Sequence, residues 1–270
     1  MDLILVGPGR AGLGLALASV EAGHTIVGVL ARNPEASRRA VERVGGLVLS
    51  WEDALPRADL LLVAVRDDAV DEVGVRLAGK AQSVDGAVHL SGLIPATALS
   101  GLAGPPVGSF HPLQTLPTPE LGAGRLRGAS IAVTADDDYL SDRLFALAAS
   151  LGAHPFELDD AAKPLYHAAA AAAANFTLTA LAMSRRLFEA AGVDFAVGAP
   201  LIRAVIDNAL EIGPEGALTG PAARGDVGTI RTQLAAVRRL DAALAEDFAA
   251  MVRATARVAG TLDAIDEVLD

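Results

Sequence analysis

Few side chains in this 270-residue chain could carry a proton near neutral pH, and their spacing narrows the field further. The absence of cysteine excludes thiolate nucleophiles, thiolate metal ligands and disulfides. The five histidines are scattered without ligand spacing, so no metal site is expected. His111, between Phe110 and Pro112, is the first candidate for proton exchange, with Ser91 twenty residues before it and Gln114 beyond it as a substrate contact. Lys163 is one of only two lysines, and His167 and Asn175 follow it on a helical pattern. On a helix wheel Lys163 and His167 lie roughly 40° apart and Asn175 roughly 80° further round, so all three can face one cleft. Asn175 sits in apolar sequence and is costly to bury unpartnered, which makes it a ligand contact or an interhelical hydrogen bond. Such groups suit proton transfer at a carbonyl or imine, the companion step to a hydride transfer.

The elements that must position these residues begin with Leu3–Gly14, LILVGPGRAGLG. Leu3 to Val6 reads as a short buried strand, Gly7 to Gly12 matches G-x-G-x-x-G, and Leu13 to Ala22 reads as a helix. In that context Gly7 makes the tight turn, Gly9 lets backbone approach a pyrophosphate, and Gly12 lets helix and strand pack closely. Arg10 and Ala11, at the helix start, belong to the same anion site. Thr25 to Leu30 reads as the second strand, and its tip is Ala31-Arg32-Asn33. A unit that binds NAD carries an acidic residue there; Arg32 instead suits bidentate pairing with a 2′-phosphate, so the cofactor is expected to be NADP. Arg38 and Arg39 read as a solvated helix face.

Strands are further expected at Leu47 to Leu49, Ala58 to Val65, Ala87 to Leu90, Ser130 to Thr134 and His154 to Leu158, with a helix from about Ser141 to Leu151. Val65, ending the long apolar strand, is counted with the cofactor contacts. Ser91 and His111 are both placed just after strand ends, where ligands of doubly wound sheets bind. His89 is expected to be structural, His24 and His154 to lie on the surface, and Trp51 to pack. From Asp159 onward the pattern is helical: a long helix capped by Asp159-Asp160 runs through seven alanines, Ala168 to Ala174, to about Ala191. That alanine run suggests close approach of another backbone, within the domain or across a dimer. Further helices are expected over Ala196 to Ile212, Val227 to Leu240 with Asp226 as cap, and Asp241 to Ala259. The division implied is 1–158, a mostly parallel doubly wound α/β domain, and 159–270, an all-helical domain for substrate and dimerisation.

The net charge of −11 disfavours nucleic acid and anionic membrane as partners. No apolar run reaches the length of a membrane span. The first strand follows Met1 so closely that no charged leader fits before it, and a cytoplasmic protein is expected. There is no G-x-S-x-G elbow and no P-loop lysine.

The order of parts resembles the 6-phosphogluconate-dehydrogenase-like superfamily, which includes pyrroline-5-carboxylate, ketopantoate, prephenate and 3-hydroxyisobutyrate oxidoreductases. More closely, SFHPLQTL at 109–116, KPLYHAAAAAAANF at 163–176 and ALTGPAARGD at 217–226 resemble Rossmann-like proteins carrying a DUF2520 C-terminal domain. The resemblance implies a Rossmann sheet domain, a 6-phosphogluconate-dehydrogenase-like helical domain, an NADP-dependent oxidoreductase and no particular substrate. In ketopantoate reductase and the hydroxyisobutyrate dehydrogenases a Lys-x-x-x-Asn pair supplies the proton; Lys163 matches it, but His167 stands in the Asn position. In prephenate dehydrogenases a Ser and the His of Gly-His-Pro work together; Ser91, His111 and Pro112 match, with Phe110 in place of the Gly. By likeness to pyrroline-5-carboxylate reductases, Thr219 and Arg224 would hold a substrate carboxylate, often from the partner of a homodimer. The expected activity is reduction of a small carbonyl, a 2-oxo acid of ketopantoate type. The alternatives are imine reduction of pyrroline-5-carboxylate type, or a non-catalytic NADP(H) sensor.

Overall fold

The computed structural model describes residues 1–269. One sheet of eight strands runs through it: β1 (Asp2–Val6), β2 (Thr25–Leu30), β3 (Leu47–Val48), β4 (Leu60–Val63), β5 (Ala87–His89), β6 (Val107–Pro112), β7 (Ser130–Ala135) and β8 (His154–Glu157). The spatial order is β3-β2-β1-β4-β5-β6-β7-β8. Every neighbouring pair is parallel except β6 and β7, where Gly108 faces Ala135 and Pro112 faces Ile131. The sheet is therefore mostly parallel and doubly wound, as the alternation of elements implies.

Strands buried on both faces must be apolar at every position, and β1 and β4 are. Leu3 and Leu5 of β1, with Leu60 and Leu62 of β4, join one core cluster. Ile4, Val6, Leu61 and Val63 join the other. On the first face pack α1 (Arg10–Glu21), α2 (Pro34–Val44), α4 (Pro119–Leu126) and α5 (Asp138–Ser150). On the second pack α3 (Val70–Arg76) and the 3₁₀ segment Ala96–Leu102. Helix α4, which the sequence pattern did not suggest, lies in the connection between the antiparallel strands β6 and β7 and crosses α1 closely. A Cβ at Gly14 would stand 3.1 Å from the Pro119 carbonyl oxygen.

Several boundaries differ from the sequence expectation. Helix α1 starts at Arg10, not Leu13, because the turn Gly7–Gly9 delivers the chain directly into helical geometry. The strand expected over Ala58–Val65 is Leu60–Val63, so Val65 lies in the loop beyond it. His111 lies inside β6, where it faces Ala132 of β7, rather than after a strand end. The long helix is interrupted: α6 (Lys163–Ala171) leads into a π turn, Ala172–Phe176, and then into α7 (Thr177–Ala190). Asp159 and Asp160 do not cap α6; a 3₁₀ turn, Asp160–Ala162, intervenes, and the Asp160 carboxylate is used elsewhere. None of the seven alanines is fully buried. Ala168, Ala169, Ala172 and Ala173 are exposed, and Ala170, Ala171 and Ala174 half-buried. The helix expected from Ala196 begins at Ala199, after a 3₁₀ turn at Phe195–Gly198.

The chain divides into two compact units, Met1–Ala174 and Asn175–Asp270, so that α6 belongs with the sheet. The second unit is helical: α7, α8 (Ala199–Ile212), α9 (Pro214–Ala217), α10 (Val227–Leu240), α11 (Ala242–Ala259) and α12 (Leu262–Ile265). Its core joins Ile230 and Leu234 of α10 to Ala249 and Ala256 of α11. Asp226 and Asp241 cap α10 and α11 by accepting from Thr229 N and Leu244 N. No helix among the described residues is long and apolar enough to cross a membrane.

Candidate active site

The glycine turn is built as its spacing requires. Gly7 has φ +88°, and a Cβ there would stand 2.5 Å from the Ala64 carbonyl oxygen. A Cβ at Gly12 would stand 2.4 Å from the Gly7 oxygen, so α1 can seat on the turn only with glycine at that position. At Gly9 the same construction meets nothing within 4 Å, leaving open space on the ligand side. The Gly9 N–H is spent on the Gly7 carbonyl at 2.8 Å. The next two, on Arg10 and Ala11, are first-turn donors with no capping side chain. Those two groups, at the positive end of α1, are placed to receive an anion.

Two cavities of the first unit share Gly9, Ala64, Val65 and Arg66. The larger, about 570 Å³, runs from Gly7–Gly9 to the tip of β2 and is bounded by Arg32, Asn33, Trp51 and Glu72, Val73 and Arg76 of α3. The other, about 500 Å³, continues past Arg10 and Ala11 to Thr115–Pro117. Arg32 is exposed at the tip and has no carboxylate partner among the described residues, whereas Arg66 pairs with Asp68 at 2.7 Å. Asn33 caps α2 by accepting from Glu35 N, and Arg38 and Arg39 both reach Glu35 on the solvated face of that helix. Trp51, Arg66, Arg76 and the 115–117 loop carry no motif, so sequence reasoning missed their part in these walls.

A second group of side chains gathers around β5, β6 and α6. β6 continues past the last residue paired with β5, His89 opposite Ser109, so Phe110–Pro112 project beyond that strand. The His111 ring lies against Gly92, where a Cβ would be 2.7 Å from both Nδ1 and Cε1. His111 Nδ1 is 2.8 Å from the Tyr166 hydroxyl, and the two rings meet edge to face at 5.5 Å. Burial, with the neighbouring charges of His167 and Lys163, lowers the His111 pKa to about 4. Burial pushes the Tyr166 phenol up to about 12. Near pH 7 both groups are neutral. Tyr166 was missed from sequence, although it stands three residues after Lys163 on the same side of the helix.

Lys163 is not a solvated cation: its side chain is 1% exposed. Nζ donates to Asp160 Oδ1 at 2.7 Å and to the Ile94 carbonyl at 3.0 Å, and burial pulls its pKa down. Both Asp160 oxygens accept from Ala96 N. Lys163 and Asp160 thus clamp the 94–96 loop to the start of α6. Ser91 lies in the same loop but makes no hydrogen bond to His111. Its Oγ accepts from Leu93 N and Ile94 N at 3.1 and 3.3 Å, and so shapes the turn. His89 is structural, as expected: Nε2 donates to the Pro95 carbonyl, Nδ1 accepts from Ser91 N, and burial lowers its pKa to about 4. His24, taken for a surface residue, is half-buried between the N-terminal amine and Ser150, while His154 is exposed.

His167 is half-buried beside Tyr166. Gln114 is exposed, and its Oε1 accepts from Thr115 N, folding it back on its own loop. Asn175 is exposed in the π turn, so the cost of burial that made it suspect does not arise. Thr219 and Arg224 are exposed residues of the second unit. No group of three or more potential metal ligands occurs among the described residues.

Residues 1–107 match the family model of the Rossmann-like domain, and residues 129–255 match that of the domain of unknown function DUF2520. Among solved structures, a Bacteroides fragilis protein assigned, without a named substrate, as an NADP oxidoreductase is similar over 95% of this chain and 98% of its own, with 26% identity and a TM-score of 0.82. Pyrroline carboxylate reductase of Plasmodium falciparum, solved with NADP bound, covers 96% of this chain and 98% of its own at 13% identity and TM-score 0.63. An imine reductase of Myxococcus stipitatus in complex with NADP⁺ covers 95% and 94% at 17% identity and TM-score 0.65. These last two share the fold. No curated protein matches the chain in sequence.

Proposed function

We propose that this chain, which joins a Rossmann-like domain to a DUF2520 domain, is an NADP(H)-dependent reductase of a small imine or carbonyl compound. The observation that carries the reading is the larger cavity, which the exposed Arg32 guanidinium and the open glycine turn both line. The residues fit the cofactor. Arg10 and Ala11 N–H groups would receive the pyrophosphate, Gly9 leaves room for it, Val65 lines the path, and Arg32 would take the 2′-phosphate. Bound there, the cofactor supplies a hydride. The likeness to structures that hold NADP, and to a Bacteroides fragilis protein assigned as an NADP oxidoreductase, supports the same choice.

The proton chemistry favours an imine over a 2-oxo acid. A ketone reductase of ketopantoate type needs an acid at the carbonyl, and the lysine that would play it is committed to Asp160 and Ile94 O. The remaining pair, His111 and Tyr166, is neutral, and burial that pushes the phenol up to about 12 makes it a weak proton donor. An iminium arrives already protonated; a neutral imidazole–phenol pair can orient it by hydrogen bonds without opposing its charge. Ser91 and Lys163 are then positioning residues of the loop beside that pair, and His167 sets its electrostatics. Thr219, Arg224, Gln114 and Asn175 remain candidates for holding a carboxylate-bearing substrate.

The test is NADPH oxidation followed by absorbance with a cyclic imine and with the corresponding keto acid. Turnover of the imine is expected, with His111→Ala and His167→Ala each retaining most of it. Turnover of the keto acid alone, abolished by His111→Ala, overturns the imine reading. The reading also includes a cytoplasmic location and a homodimer through the helical unit. Helix α8 buries none of its residues, and Leu201, Val205 and Ile212 form an exposed stripe on it at i, i+4 and i+11, Leu201 being 64% exposed. A second copy of the same surface would cover such a stripe, and sedimentation at micromolar concentration should show a dimer. A monomer at that concentration removes this part of the reading.

A further inference from the structure

The larger cavity has two chemically different ends. At one end stands the glycine turn Gly7–Gly9, where the adjoining cavity leads on to the first-turn N–H groups of Arg10 and Ala11, and Arg32 lies along the way at the tip of β2. At the other stand Trp51 and one face of the segment entering α3 and α3 itself: Ala69, Glu72, Val73 and Arg76, at i, i+3, i+4 and i+7. Trp51 is fixed from two sides. Its indole N–H donates to the Ala31 carbonyl at 2.9 Å, and the Lys80 ammonium donates to its own carbonyl. On that fixed ring lies the Arg76 guanidinium, its Cζ 4.3 Å from the ring centroid, with no carboxylate partner among the described residues.

We infer that Arg76, held over the Trp51 ring, is the seat of the purine base of the dinucleotide. This rests on the NADP(H) reading above and adds the residues that select the base. A phosphate is disfavoured at this end because Glu72 lines the same wall, whereas a neutral heteroaromatic ring meets no such repulsion. The apolar surfaces of Ala69 and Val73 and the plane of a guanidinium suit a flat base. Around its edge a purine offers ring-nitrogen acceptors, and Arg76 carries in-plane donors that stacking leaves free. Arginine is required here, because a lysine ammonium has charge but no plane to stack.

Trp51 is the only tryptophan, so its emission reports directly on the seat. The experiment is calorimetric titration of 2′,5′-ADP, 5′-AMP and nicotinamide mononucleotide into wild type, Arg76→Ala, Arg76→Lys and Arg32→Ala, with Trp51 emission recorded in parallel. Arg76 is exposed on the last turn of α3, so its substitutions leave the core intact. In wild type both adenine nucleotides should change the emission and the mononucleotide should not. Arg76→Ala and Arg76→Lys should weaken 2′,5′-ADP and 5′-AMP by the same factor, about five- to tenfold. Arg32→Ala should weaken 2′,5′-ADP only. If Arg76→Ala weakens 2′,5′-ADP alone, or neither nucleotide, or if lysine restores affinity, the base seat is wrong. In those cases the NADP(H) reading stands as long as Arg32→Ala still discriminates between the two nucleotides. If wild type binds neither adenine nucleotide, the NADP(H) reading falls with it.

Discussion

Replacing Lys163 by Met separates a structural lysine from a catalytic one. The ammonium is buried and makes two short contacts, to Asp160 Oδ1 at 2.7 Å and Ile94 O at 3.0 Å. Methionine fills most of the same channel, so little packing is lost. What is lost is a charged hydrogen bond to a carbonyl, which is left unpaired at a cost of about 1–3 kcal/mol. The Asp160 carboxylate also loses its partner. Breaking a fully buried pair costs about 3–5 kcal/mol. Here Asp160 is 34% exposed and keeps both bonds to Ala96 N, so solvent recovers part of that. A net loss of about 2 kcal/mol is expected in urea unfolding followed by Trp51 emission, which reports on the unit that holds Lys163. Asp160→Asn should cost a similar amount, and the double variant about 1 kcal/mol less than the sum. With an active substrate, Lys163→Met should raise KM more than it lowers kcat. Wild-type stability together with complete loss of turnover would refute the positioning role and restore Lys163 as the acid.

Two further outcomes follow from the same group of residues. His89 and His111 titrate near pH 4 in the folded protein against 6.5 for a free imidazole. As pH falls from 6.5 toward 4 the unfolded chain takes up protons that the folded chain refuses. Stability should therefore decline over that window, by roughly 3 kcal/mol per imidazole at the limit. His89→Gln should flatten the decline in urea titrations across that pH range, and an unchanged slope would show that the imidazole is not held neutral. Gly92→Ala places a methyl 2.7 Å from the His111 ring and should break the bond to Tyr166. An altered His111 imidazole signal in NMR, with thermal stability changed by only a few degrees, is the expected readout, and an unmoved resonance is the contrary one.

Much of the sheet unit was legible because its physics is local. Leu3–Val6 and Leu60–Val63 are apolar without a break, which only doubly covered strands require, and the glycine spacing states which backbones must touch. The cap Asp226 likewise sits directly before its helix, and Asp241, read as the first residue of the next helix, proves to be its cap. The reversal of β7 was not legible, since it depends on how α4 docks on α1 across a long separation in sequence. The alanine run advertised helix but not exposure, because propensity says nothing about what lies opposite. In the candidate site the sequence offered the side chains, and the folded chain gives them hydrogen-bond partners the sequence pattern did not suggest. Lys163 pairs with Asp160, only three residues earlier, and that spacing was visible in the sequence. Ser91 and His111 share a neighbourhood, yet the bond His111 makes is to Tyr166, contributed by α6. Trp51 and Arg76 carry no motif, and only the folded chain lays one on the other.

The central claim is that Arg32 makes this glycine turn an NADP site, and binding of the reduced cofactors tests it without a known substrate. NADPH and NADH are titrated into wild type and Arg32→Ala, with nicotinamide fluorescence as the signal. A guanidinium pairing with the 2′-phosphate predicts that wild type binds NADPH at least about tenfold more tightly than NADH, and that Arg32→Ala erases the difference while leaving NADH affinity nearly unchanged. Equal affinity of wild type for the two cofactors, or equal losses for both in the variant, would contradict the account.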